Sequence, residues 1–192
     1  MRLRVLQDKS RTAETATAAV FLVGFMGAGK SSVGRALAQR LNWIFEDLDD
    51  RIERRQGQTV AEIFRAGGEQ EFRRAERAAL QEVLEELPRG PSRIIALGGG
   101  AFVQKGNAAL LKAARVPTIF LDAPVEELWR RCQEQASKVG AQRPLLGSTE
   151  RFFALYEARR NGYSKASVRI ETGSRSVEEI ASEIARTLGL RS

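Results

Sequence analysis

The sequence has no histidine and one cysteine, Cys132. The first absence removes Ser-His-Asp and Cys-His catalysis and every histidine-based metal site. Proton transfer must then fall to Asp, Glu, Lys, Tyr or water. A metal would have to be held by oxygen, which points to magnesium or calcium. One cysteine allows neither an intrachain disulfide nor a cysteine-rich zinc site, and suits a reducing, cytoplasmic setting. Long apolar runs are missing too. The longest, AAVFLVGFMGAG, has 12 residues, too few to span a bilayer. Behind the basic start MRLR it resembles a signal-peptide core, but it runs straight into GKSS rather than to a cleavage site. Basic residues rarely cluster with aromatics, and no helix-turn-helix or RNA-recognition signature is present.

What is present suits one domain: 192 residues, 43% hydrophobic and 29% charged. The net charge is +7, with arginine far ahead of lysine. Arginine forks onto phosphate and carboxylate, so anionic small molecules are favoured over nucleic acid as partners, beside the plain alternative of a solvated basic surface. Residues 1–19 are polar and read as a flexible extension; residues 20–192 read as a single domain. Strands are expected at 20–25, 43–49, 93–97, 116–121 and 167–172. Helices are expected at 31–41, from the capping box TVAE at Thr59, at 69–87, 107–114, 124–136, 150–160 and from the capping box SVEE at Ser176. Alternating strands and helices predict an α/β fold, a five-stranded parallel sheet with helices on both faces. The aperiodic stretch 137–149 reads as a mobile lid.

GFMGAGKS (24–31) fits G-x-x-x-x-G-K-[ST] between a strand and a periodic helix. Backbone N–H groups around Gly27, Ala28 and Gly29, with Lys30, Ser31 and Ser32, would cradle ATP phosphates, and the Ser31 hydroxyl would ligand magnesium. EDLDD (46–50) ends the second strand. If that strand continues, Asp47 and Asp49 point to opposite sides, one toward magnesium and one toward an acceptor. Asp122, at the end of TIFLD, is a rival metal carboxylate. EFRRAER places Arg73 and Arg77 on one helical face with Glu76 beside Arg73. Arg143 lies in the aperiodic stretch, where an arginine can meet a transferring phosphate. Arg131, Arg159 and Arg160 are ambiguous on residue type alone. The three glycines of ALGGG (96–100) ask for a reason beyond a turn.

Taken together, GFMGAGKSSVGRALA, the stretch EDLDDRIERRQGQTVAEIFRAGGEQEFRRAE, LGGG and RPLL resemble the shikimate kinases over roughly residues 20–190. That resemblance implies a P-loop kinase fold and transfer of the ATP γ-phosphoryl group to the 3-hydroxyl of shikimate, with one Mg2+ beside the ATP. It implies that Asp49 contacts the shikimate hydroxyls and acts as base, and that Asp47 holds magnesium, mostly through water. Arg73 and Arg159 would grip the shikimate carboxylate, with Glu76 orienting Arg73. Gly98, Gly99 and Gly100 would bring backbone amides close to acceptor and γ-phosphate. Arg143 would be the lid arginine, and Arg131 would pack on adenine. The acceptor region would cover about residues 50–80, and the protein would act as a monomer.

One departure stands out. The family pattern R-x-P-L-Y reads Arg159-Arg160-Asn161-Gly162-Tyr163 here. The expectation is a looser turn behind Arg159, with Arg160 able to share its role. The alternatives are a related kinase such as a gluconate kinase, a catalytically silent kinase-like binding module, and a nucleic-acid binder. Arg73, the glycine run and RPLL argue against the first; intact Lys30, Ser31, Asp47, Asp49 and Arg143 argue against the second.

Overall fold

The computed structural model describes residues 19–139 and 148–191. Among these, parallel strands β1 (Ala19–Val23), β2 (Ile44–Asp47), β3 (Arg93–Ala96), β4 (Thr118–Asp122) and β5 (Val168–Glu171) form one sheet in the order β2-β3-β1-β4-β5. β1 is buried at all five positions between β3 and β4, with Leu22 opposite both Ala96 and Ile119. A strand covered on both faces must be continuously apolar, as AVFLV is. The expected fold class is therefore borne out.

Helices α1 (Lys30–Leu41) and α7 (Val177–Thr187) pack together over the sheet; α2 (Leu48–Gln56), α3 (Val60–Glu86) and α4 (Lys105–Ala113) form a second group, and α5 (Val125–Val139) packs on α6 (Thr149–Tyr163). Both capping boxes form, Thr59 with Glu62 and Ser176 with Glu179. The two helices expected at Thr59 and Glu69 are joined across Gly68, whose φ of 69° and ψ of −170° kink α3. Phe64 and Phe72 stack across that kink, with ring centroids 4.6 Å apart.

Two expectations need correcting. β2 stops at Asp47, not at residue 49, because the Asp47 side chain caps α2 by accepting a hydrogen bond from the Asp49 N–H at 3.1 Å. Asp49 thus sits in the first turn of a helix. There is also no turn at Asn161–Gly162: α6 runs unbroken to Tyr163. Gly162 is needed for contact instead, since a Cβ there would lie 2.6 Å from Val103 Cγ1.

Candidate active site

The strand-to-helix turn after β1 wraps back on itself through glycines. Gly27 and Gly29 have φ of 81° and 88°, a region that L side chains rarely adopt. A Cβ on Gly27 would also fall 2.6 Å from the Leu128 carbonyl oxygen of α5. The loop is steadied by Lys30, whose Nζ donates to the carbonyls of Gly24 at 2.9 Å and Phe25 at 3.0 Å. Gly29 caps α1 without a side-chain hydrogen bond, which leaves the first N–H groups facing the loop for an anion.

Two carboxylates face this loop. Ser31 Oγ donates to Asp47 Oδ2 at 2.9 Å, so the hydroxyl and carboxylate that would share a metal already stand together. Asp49 is different. Its Oδ1 is buried without a hydrogen-bond partner among the described residues. Burial, with the charge of Asp47 adding to it and Lys30 opposing it, raises its pKa from 3.8 to about 6. An unsatisfied buried carboxylate oxygen is costly unless a ligand completes it.

Opposite Asp49 stands an arginine held from both sides. Arg73 donates from one nitrogen to both oxygens of Glu76 at 2.9 and 3.0 Å, and from two others to Glu69 at 3.2 and 3.1 Å. Glu76 is 1% exposed, and burial raises its pKa to about 7 against the pull of Arg73. Arg159, on α6, lies over the Phe25 ring at 6.0 Å.

The glycine run fits between these side chains. None of Gly98, Gly99 and Gly100 has a positive φ, so backbone freedom is not the reason for them. Space is. A Cβ on Gly98 would sit 2.7 Å from Asp49 Oδ1, and one on Gly100 would sit 2.6 Å from a terminal nitrogen of Arg73. The middle carbonyl, Gly99, accepts from the Tyr163 hydroxyl.

These parts enclose a cleft of about 390 Å³. Gly27, Gly29, Lys30, Ser31 and Ser32 line it from the phosphate loop; Asp47, Asp49, Arg73, Glu76, the three glycines and Arg159 line it from the rest. Ala28 is buried beneath the loop. The sequence reading passes over Val60, Phe64 and Phe72, which give the cleft an apolar wall, and over Gln135 of α5. The four-residue spacing of Val60 and Phe64 is a local signal for the first two; Phe72 lies beyond the kink at Gly68, where no single helical row reports it.

Other expected residues lie elsewhere. Arg131 donates to Glu127 at 2.8 Å and to the carbonyls of Thr172 and Gly173 at 2.9 and 2.7 Å, outside the cleft, at the end of β5. Arg143 lies outside the described residues. Arg77 lies against Gly106 at the start of α4, and Arg74 pairs with Glu71 at 2.6 Å on the surface. Arg160 does not share the place of Arg159: it lines a second cleft with Asp122, Tyr156 and Arg169. There Asp122 accepts from Arg169 at 2.9 Å, in a different cleft from the Ser31 hydroxyl.

The model of the family "Shikimate kinase" matches residues 26–189. The chain belongs to the shikimate kinase family. It is 39% identical over 175 residues to the shikimate kinase of Cereibacter sphaeroides, covering 90% of this chain and 83% of that one. Against the shikimate kinase of Geobacter sulfurreducens it is 41% identical over 169 residues, with 86% and 88% covered. A solved shikimate kinase from Acinetobacter baumannii, in complex with shikimate, superposes with a TM-score of 0.79 at 33% identity, covering 90% of this chain and 93% of that one. A sugar kinase from a Janibacter species, at 16% identity and a TM-score of 0.56, shares the fold alone. Membership of the shikimate kinases carries ATP-dependent phosphoryl transfer with it, and no helix among the described residues is long and apolar enough to cross a membrane.

Proposed function

We propose that the protein catalyses transfer of the ATP γ-phosphoryl group to the 3-hydroxyl of shikimate, giving shikimate 3-phosphate and ADP. The observation that carries this reading is the unpaired buried carboxylate of Asp49, set between the phosphate loop and an arginine pair, Arg73 and Arg159, on the wall of one cleft. An acceptor bearing both a carboxylate and hydroxyls matches that wall. Its carboxylate would lie on the two guanidiniums, and its reacting hydroxyl would complete Asp49 Oδ1. In the step itself the acceptor oxygen bonds to the γ-phosphorus, the bond to the β-bridging oxygen breaks, and the hydroxyl proton passes to Asp49.

The backbone N–H groups of the loop and Lys30 hold the phosphates. Ser31 and Asp47 supply one hydroxyl and one carboxylate, an oxygen donor set that fits a single Mg2+ completed by phosphate oxygens and water. Bound there, the ion would neutralise phosphate charge. Glu76 keeps Arg73 aimed, and Gly98 and Gly100 keep space for Asp49 and Arg73. Arg143 is assigned to the phosphates on the strength of RPLL, and Arg131 to adenine on the strength of the same resemblance; its contacts are with Glu127, Thr172 and Gly173.

ADP release by purified protein with ATP and Mg2+ tests this, with shikimate or gluconate as acceptor. Shikimate-dependent turnover is expected. Turnover with gluconate alone would overturn shikimate as the acceptor but not the arginine pair, since gluconate is a carboxylate too. ATP binding without turnover on either would make the protein a silent binding module.

A further inference from the structure

Tyr163 takes no part in the cleft wall, yet it touches the two things that shape it. It is fully buried, with its ring stacked on Phe120 of β4 at a centroid distance of 5.3 Å and an interplanar angle of 22°. Its hydroxyl donates to the Gly99 carbonyl in the glycine loop. Arg159 sits one turn earlier on the same face of α6. Burial pushes the phenol up to about 12, and the nearby charge of Arg159 opposes that rise. The hydroxyl therefore stays a neutral donor throughout the working pH range.

We propose that Tyr163 is a positioning residue for the acceptor: its hydroxyl pins the end of α6 to the glycine loop and fixes where Arg159 stands relative to Arg73. The inference rests on the reading of Arg159 as a carboxylate-binding arginine. Three contacts register the helix. Gly162 lets α6 approach Val103, a neighbour of the loop in sequence. Phe152 and Tyr156 pack edge-on against Phe25 of the phosphate loop, at 5.0 and 5.5 Å. Tyr163 supplies the polar link. Arg73 and Arg159 come from α3 and α6, helices that do not follow one another in the chain, so no local structure sets their separation. The glycine loop touches both, Arg73 through Gly100 and the Arg159 turn through Gly99. A carboxylate gripped from two sides is sensitive to a small error in that separation.

Tyr163→Phe keeps the stacked ring and removes the hydroxyl. The KM for shikimate should rise by about five- to tenfold, the net worth of one buried hydrogen bond, while the KM for ATP stays within about twofold. In an Arg159→Ala background the same change should raise the shikimate KM less than about twofold, because the group it positions is gone. Gly162→Ala, which keeps the hydroxyl but holds α6 off Val103, is the second arm and should also raise the shikimate KM selectively. An unchanged KM in Tyr163→Phe, or the same loss with and without Arg159, would overturn the positioning role. Wild-type protein that turns over ATP without using shikimate would instead sink the functional reading, and this inference with it.

Discussion

Burial makes the Asp49 carboxylate a stronger proton acceptor and makes its charge costly to keep. A carboxyl whose pKa is about 6 in the fold and 3.8 outside it is protonated more readily in the folded state. Its contribution to stability is therefore fully present below about pH 4 and is lost as the pH rises through 6. The displacement corresponds to at most ~3 kcal/mol. Asp49→Asn should then melt at a higher temperature than wild type at pH 8, with the difference shrinking toward pH 4. The same variant should lose about 10³-fold or more in kcat while ATP binding stays within a few-fold, measured by turnover and by nucleotide titration. A variant that is inactive but no more stable would separate the base from the burial argument. The acid limb of the wild-type profile follows the same sign: kcat/KM for the acceptor should fall as the pH drops below about 6. Glu76, raised to about 7 mainly by burial, feels the charge of Asp49, so that limb belongs to the pair rather than to either residue.

At the scale of elements, the glycine loop is a mould for side chains that arrive from other helices. Gly100→Ala would put a methyl group 2.6 Å from Arg73, so the guanidinium must move. Shikimate KM should rise by about tenfold with ATP KM little changed; equal losses for both substrates would show that the loop itself had collapsed. This use of the glycines was not legible in the sequence, where they suggested a backbone brought close to the ligand. The difference is one of range. The phosphate loop is readable because Gly24 to Ser31 are contiguous and their spacing reports a single turn. Asp47 and Asp49 are readable as functional carboxylates, yet the end of their strand is not, because an aspartate that caps a helix resembles one that ends a strand. Asn161–Gly162 looks like a turn locally, while α6 continues through it to bring Gly162 onto Val103 and Tyr163 onto Gly99. No pattern within α6 announces a partner 64 residues away. Arg159 and Arg160 are likewise adjacent in sequence but a third of a helical turn apart, which puts them in different clefts.

At the scale of the molecule, the strand order explains where the cleft lies. The chain leaves β1, crosses to β2 at one edge, returns to β3 beside β1, and then adds β4 and β5 on the far side. Connections diverge at the carboxyl ends of β1 and β3, and the crevice they open is where an α/β sheet binds its ligand. The phosphate loop follows β1, Asp47 ends β2 with Asp49 in the first turn of the helix after it, and Gly98 to Gly100 follow β3, so three neighbouring strands deliver one site. The helices that carry the arginine pair are less directly tied to that sheet. Arg73 projects from the far side of the kink at Gly68, and Arg159 from α6. A carboxylate bound to both would bridge α3 and α6 directly. Binding to the folded state alone stabilises it by about 2.7 kcal/mol at a ligand concentration 100 times Kd, or roughly 5–10 °C for a chain of this size. Shikimate at that excess should raise the melting temperature of wild type by that amount, and the same concentration should do little for Arg73→Ala or Arg159→Ala, each of which leaves only half of the link. A full shift in either variant would mean that the other arginine binds the carboxylate alone, and that the two helices are not joined through the ligand.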